Sequence, residues 1–257
     1  MKKLINIAIF ILLLSTISFG QNQPANNKAN LQLPIPQIGV SVGTSDKPQD
    51  IALTLQVLFL MTILSLAPSI VIMTTSFLRI IIVFHFLKSA LGTQNMPPSQ
   101  MLAGLALFIT FFVMAPTWGK VFDDALTPYL DNKITIQEAY NRGIEPVREF
   151  MFRQVRNEDL ALFVGLAKIN RPQNRKDLPT YILIPAFCIS ELRAGFIMGF
   201  FLFIPFLMID MIVGSILMSM GMMMVPPMLV SLPFKILLFI MVDGWNLLVN
   251  SLVRSFK

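Results

Sequence analysis

The chain has 257 residues, 55% of them apolar and only 13% charged, about half the ~25% charged content of a soluble domain. With a mean hydropathy of +0.70, 22 Phe and 17 Met, it belongs in lipid or in a large buried apolar assembly, and disorder is excluded for most of its length. One cysteine (Cys188) and one histidine (His85) exclude a disulfide framework, a paired-cysteine redox centre and a thiolate-zinc or His-based metal cluster, and a net charge of +6, two units of it from Lys2 and Lys3, gives no argument for nucleic acid.

Residues 1–20 read as a secretory signal peptide. Lys2-Lys3 form the basic start, residues 4–17 the apolar core, and Ser18 and Gly20 the small residues before a cut at Gln21. The core is short for a bilayer span, which needs ~20 helical residues. Residues 21–50 are rich in Pro, Asn and Gln and read as a polar linker.

Residues 51–119 carry the N-terminal hydrophobic helices. The stretch 51–78 has no charge and is long enough to span, with Pro68 expected to kink or break it. Arg79, His85 and Lys88 then read as cytoplasmic-end anchors whose side chains snorkel to headgroups. A turn over 92–99, containing Gly92 and Pro97-Pro98, joins two hydrophobic segments into a hairpin.

Residues 120–177 hold ten basic and nine acidic side chains and read as a small soluble helical domain outside the membrane. Thr135 and Glu138 fit a capping box, and Pro146 suits the first position of a further helix. Asn157 suits the N-cap of another, with Leu160, Phe163, Leu166 and Ala167 as its apolar stripe. Residues 170–177 form a polar connector.

Residues 178–257 are the C-terminal hydrophobic helices with a methionine loop. Between 178 and 253 there are five charges: Glu191, Arg193, Asp210, Lys235 and Asp243. Pro205 and Pro226-Pro227 are expected to cut this run into three pieces, giving five hydrophobic segments after residue 50. The expected fold class is an all-α membrane protein, with Pro- and Gly-broken hydrophobic helices forming hairpins and a small helical extracytoplasmic domain.

Asp210 and Asp243 suggest a pair of carboxylates sharing a proton, as in an intramembrane aspartyl protease. No Gly-x-Gly-Asp surrounds either one, and Arg193 and Lys235 offer partners of opposite charge, so these five residues are expected to form structural ion pairs. Gly195 and Gly199 make a GxxxG face, and Ser215 and Ser219 repeat the spacing, so close helix packing is expected within or between subunits. A leucine at Gly195 is then expected to disturb assembly more than insertion. Eight methionines lie between Met208 and Met228. Met222, Met223 and Met224 cannot share one helix face, and Gly221 and Pro226-Pro227 bracket them as a deformable apolar loop.

The blocks TSFLRIIIVF (75–84), ALGTQNMPPSQ (90–100), REFMFRQ (148–154), PAFCISELRAGF (185–196), IPFLMIDMIV (204–213), GMMMVPP (221–227) and LPFKILLFIMVDGW (232–245) together resemble the FliP family of the flagellar type III export gate. The resemblance covers residues 51–257; Ile197-Met198 and His85 depart from the family pattern. It implies a non-enzymatic, cofactor-free pore subunit of the bacterial inner membrane, partly periplasmic at the flagellar basal body. It also implies a pentamer joined by FliQ-like and FliR-like subunits and other export-apparatus membrane proteins. Unfolded flagellar substrates would pass, with Met222, Met223 and Met224 as a gasket that closes the channel at rest. An injectisome-type gate subunit and a small-solute or ion transporter are the competing readings. A transporter of that kind often carries an internal repeat, and none is evident between the two hydrophobic halves.

Overall fold

The computed structural model describes residues 48–93, 96–169, 174, 177–222 and 224–256. The signal peptide read at 1–20, nearly all of the linker, most of the 170–177 connector and Met223 lie outside the described residues. By its contacts the chain divides between Ile51 and Ala52, and the packing below belongs to the second unit. Every regular element among the described residues is a helix: α1 Pro48–Met73, α2 Phe77–Leu91, α3 Ser99–Val121, a π-helical turn Phe122–Leu126, α4 Thr127–Leu130, α5 Ile136–Gln154, α6 Asn157–Leu166, α7 Thr180–Ser219, α8 Pro227–Met241 and α9 Gly244–Arg254.

Prolines interrupt this chain less than the sequence suggests. Helix α1 runs through Pro68 and stops at a short Thr-Thr-Ser link instead. There Thr74 donates through Oγ1 to Ile70 O (2.9 Å) and Thr75 through Oγ1 to Ile72 O (3.1 Å), satisfying carbonyls that the helix end leaves open. Pro205 does not cut the third hydrophobic run: α7 is one helix of 40 residues with Pro185 and Pro205 inside it. Likewise Pro146 begins no helix but lies within α5, which starts ten residues earlier. For Pro68 and Pro205, both in apolar segments, the reason is common. A proline removes one intrahelical hydrogen bond, whereas ending a helix in apolar surroundings strands several backbone groups at each new end. Pro226-Pro227 do separate α7 from α8, with Pro227 at the first helical position.

Among the described residues three stretches are long and apolar enough to cross a membrane, namely Leu55–Met73, Ser99–Leu130 and Thr180–Ser219; α8 and α9, bent by 63° at their junction, make a fourth if counted as one. The five-segment count therefore gives way to three or four. At 1.5 Å per residue α7 is about 60 Å long, roughly twice a hydrocarbon core, so it extends well beyond one crossing.

The core has two parts. In one, Ile80, Val83, Phe84 and Leu87 of α2 pack with Leu102 and Ala106 of α3, Phe206 of α7 and Leu252 of α9. In the other, Met114 of α3 meets Phe150 and Met151 of α5 and Ile182, Leu183 and Phe187 of α7. The charged block thus shares a core with the hydrophobic helices. Its α5 is amphipathic, and the Thr135 hydroxyl caps it by accepting from Glu138 N–H at 3.3 Å. The Glu138 side chain takes Arg142 (2.5 Å) rather than reaching back to close a box. Arg156, one residue earlier than expected, is the N-cap of α6. Leu160, Phe163 and Ala167 pack inward with Val164, while Leu166 is exposed.

Candidate functional site

The loop between α7 and α8 is built by its end caps. Gly221 adopts φ 75°, a left-handed conformation that glycine takes without steric penalty. Its N–H donates to Met218 O (3.0 Å) and that of Met222 to Leu217 O (3.0 Å), the two bonds of a Schellman motif. Pro226 and Pro227 fix the other end. Between them the chain turns outward, leaving Met222 at 43% and Met224 at 99% exposure. Met224 therefore packs on nothing in its own chain and is no part of that chain's core.

Of the five charges expected to pair, two meet. Lys235 Nζ donates to Asp210 Oδ2 at 2.6 Å, and Ser231 Oγ donates to Asp210 Oδ1 at 2.5 Å. Lys235 and Ser231 are buried. Both carboxylate oxygens of Asp210 are thus engaged, and its partners are Lys235 and Ser231 rather than Asp243. Asp243 is exposed at the α8–α9 bend with φ 49°. Arg193 is exposed, and neither it nor Asp243 makes an ion pair among the described residues.

Glu191 pairs with Arg79 of α2. The guanidinium donates through Nε to Glu191 Oε2 (2.9 Å) and through Nη2 to Oε1. It also donates to Ser255 O and Oγ (both 3.0 Å) and to Gln154 Oε1 (3.1 Å), and it lies 4.0 Å over the Phe256 ring. Arg79 does not snorkel; it is buried as the hub joining α2, α5, α7 and residues 255–256. Of the other two expected anchors, His85 is exposed and Lys88 Nζ donates to Ser99 Oγ at 2.8 Å across the α2–α3 turn.

Gly195 and Gly199 are buried and face α2 of the same chain. A Cβ built on Gly195 lies 3.1 Å from Ile82 Cβ, and one on Gly199 lies 2.9 Å from Phe86 Cβ. A leucine at Gly195 would meet Ile82 of the same chain, so an effect on folding of the single chain is expected beside the one on assembly. Ser215 and Ser219 are exposed and make no comparable contact.

The sequence reading missed Arg79 as a hub, Ser231 as a ligand of Asp210, and Arg148. The last donates to Leu178 O (2.8 Å) and Thr180 Oγ1 (2.5 Å), tying α5 to the start of α7. The available signal for Arg79 was its position as the first charge after a long charge-free stretch. Ser231 gave no signal, since a lone serine in a helix is ordinary.

A family model described as the FliP family matches residues 60–252. Over 217 residues the chain is 53% identical to the flagellar biosynthetic protein FliP of Bacillus subtilis (strain 168), covering 84% of this chain and 98% of that one. It is 43% identical over 259 residues to the protein of the same name from Borreliella burgdorferi, with both chains covered in full. With that of Pectobacterium carotovorum it shares 52% identity over 208 residues, 81% of each chain.

Proposed function

The chain belongs to the FliP family, and from that premise we propose that it is a pore-forming core subunit of the flagellar type III export gate. In this reading residues 1–20 are removed as a signal, the subunit sits in the bacterial inner membrane, and the 120–177 block faces the periplasm. Several copies, a pentamer by family likeness, assemble with FliQ-like and FliR-like subunits, and unfolded flagellar substrates pass between them. Met222, Met223 and Met224 of each copy close the channel at rest. The protein supplies a conduit and a seal, not a bond-making step.

The observation that carries the reading is the methionine loop. Met224 makes no packing contact in its own chain, and its loop is pinned at Gly221 and at Pro226-Pro227. A side chain so placed is available to neighbours. An apolar constriction gates by excluding water, and unbranched thioethers repack around cargo of varied shape. Helix α7 is about twice as long as one crossing needs, and the apolar surface it leaves exposed beyond the bilayer's thickness supports assembly as well.

The test replaces Met222, Met223 and Met224 together with Ala. Assembly is expected to persist while the inner membrane becomes permeable to a small, normally impermeant solute, with export partly retained. A fully assembled triple variant with wild-type permeability refutes the seal.

A further inference from the structure

The α7–α8 hairpin that presents the methionine loop is built mostly of interchangeable apolar side chains, which hold two helices together without fixing how far one has slid along the other. Its antiparallel register is nevertheless definite. A Cβ built on Gly214 lies 3.7 Å from Pro227 Cβ. Four residues away on each helix, Asp210 meets Ser231. Beyond that rung Lys235 reaches back to Asp210, and Phe206 approaches Phe239 with ring centroids 6.4 Å apart.

We propose that Asp210, Lys235 and Ser231 form a register lock that sets the position of the methionine loop. The sequence makes the lock unique. Asp210 is the only acid on α7 after Glu191, and Lys235 is the only charged residue on α8. In these rungs Lys235 stands level with Phe206 and reaches back to Asp210. A slip of one turn, ~5.4 Å, moves it either to the level of Leu202, where no carboxylate waits, or level with Asp210 itself, which keeps the pair but carries Ser231 to the level of Gly214. The first slip leaves buried Lys235 and half-buried Asp210 without each other and carries the loop the same distance off its place. Fixing register is the best-attested use of a buried polar group in an apolar interface. Lys235 also ties the hairpin to α2: its Nζ lies 3.6 Å from a Cβ built on Gly92, the left-handed C-cap of that helix, where a cation complements the carbonyl end of the helix dipole.

The consequence for sealing rests on the gate reading, but the lock itself can be tested without it. In full-length chain lacking Cys188, two cysteine pairs report register in membranes treated with a mild oxidant. Gly214→Cys with Pro227→Cys reads the native register, because that spacing falls within the Cβ–Cβ range of a disulfide. Leu207→Cys with Val230→Cys reads the slip of one turn that carries Lys235 away from Asp210. With Asp210 and Lys235 intact, the native pair is expected to form at least tenfold more disulfide than the slipped pair. In Asp210→Leu/Lys235→Leu, which removes both charges and keeps apolar bulk, the ratio is expected to fall at least fivefold. An exchange, Asp210→Lys/Lys235→Asp, is expected to restore it in part. Should the double-leucine chain fail to accumulate, Asp210→Asn gives the same readout with an expected fall of twofold or more. An unchanged ratio in the uncharged variant, or no recovery on exchange, overturns the lock. Solute leak through the Met222, Met223 and Met224 variant reports the seal separately, so failure of either idea is visible on its own.

Discussion

Replacing Gly199 with Ala adds one methyl group at the tightest point between α2 and α7. That methyl meets Phe86 at Cγ (2.5 Å) and Cβ (2.9 Å). Phe86 Cβ is fixed to its backbone, so no rotamer change relieves the contact, and its ring is already held edge-on against Phe196 at 5.6 Å. The helices must separate. Overpacking of this kind costs about 1–3 kcal/mol, offset by up to ~1 kcal/mol from the better helix propensity of Ala. A net loss of about 1–2 kcal/mol corresponds to a Tm lower by roughly 3–6 °C for a chain of this size. At Gly195 the same change meets Ile82 at 3.1–3.3 Å, a contact that a few tenths of an ångström relieve, so Gly195→Ala should be near neutral. Thermal unfolding of the full chain in mild detergent measures both. Phe86→Leu combined with Gly199→Ala is expected to recover most of the loss. If Gly199→Ala is as stable as wild type while Gly195→Ala is not, the proposed contact between these helices is wrong.

Arg79→Met should lower the protease-resistant folded yield strongly, because a buried pair broken on one side costs about 3–5 kcal/mol; Arg79→Met/Glu191→Met should be milder, and a single variant as mild as the double refutes the burial argument. Thr135→Ala removes the cap on Glu138 N–H and should weaken the first turn of α5 by about 1 kcal/mol, read as faster hydrogen exchange at residues 136–140 with no change in the rest of the helix. Gly195→Leu should lower folded chain and assembled complex together; selective loss of the complex would return that face to an interface between subunits.

The hydrophobic runs, the α2–α3 hairpin, the Thr135 cap and a loop between Gly221 and Pro226-Pro227 were all legible in the sequence, because each rests on local chemistry: charge-free length, Gly and Pro at turns, and a hydroxyl before a helix; that the loop turns outward was not. Proline effects were misjudged because the cost of a proline depends on the alternative. In apolar surroundings a new helix end costs more than the missing bond, and α7 stays whole through Pro185 and Pro205. Pairing was legible only in part. Asp210 and Lys235 lie close in sequence across one hairpin, whereas Glu191 lies 112 positions from Arg79, and no local rule connects them. Arg193 is nearer in sequence, but two positions along a helix place it on another face.

A 40-residue apolar helix needs points that fix it, and α7 has them at three heights. Glu191 holds Arg79, Gly195 and Gly199 receive Ile82 and Phe86, and Asp210 holds Lys235 and Ser231. The first two follow one parallel register along α2, each step forward on α2 matched by a step forward on α7. The third sets the antiparallel register of α8. Glu191 and Asp210 are separated by about 28 Å of helix at 1.5 Å per residue, with no shared partner. Changes more than about 10 Å apart and without shared partners normally add within ~0.3–0.5 kcal/mol. Arg79→Met and Asp210→Asn should therefore be additive in the stability of the purified chain, yet differ in kind. The first should reduce folded yield and leave the ratio of native to slipped cross-link between α7 and α8 unchanged; the second should shift that ratio. A shifted ratio in Arg79→Met would mean that α7 transmits strain along its length as one rigid rod, and the two ends would then have to be treated as a single device.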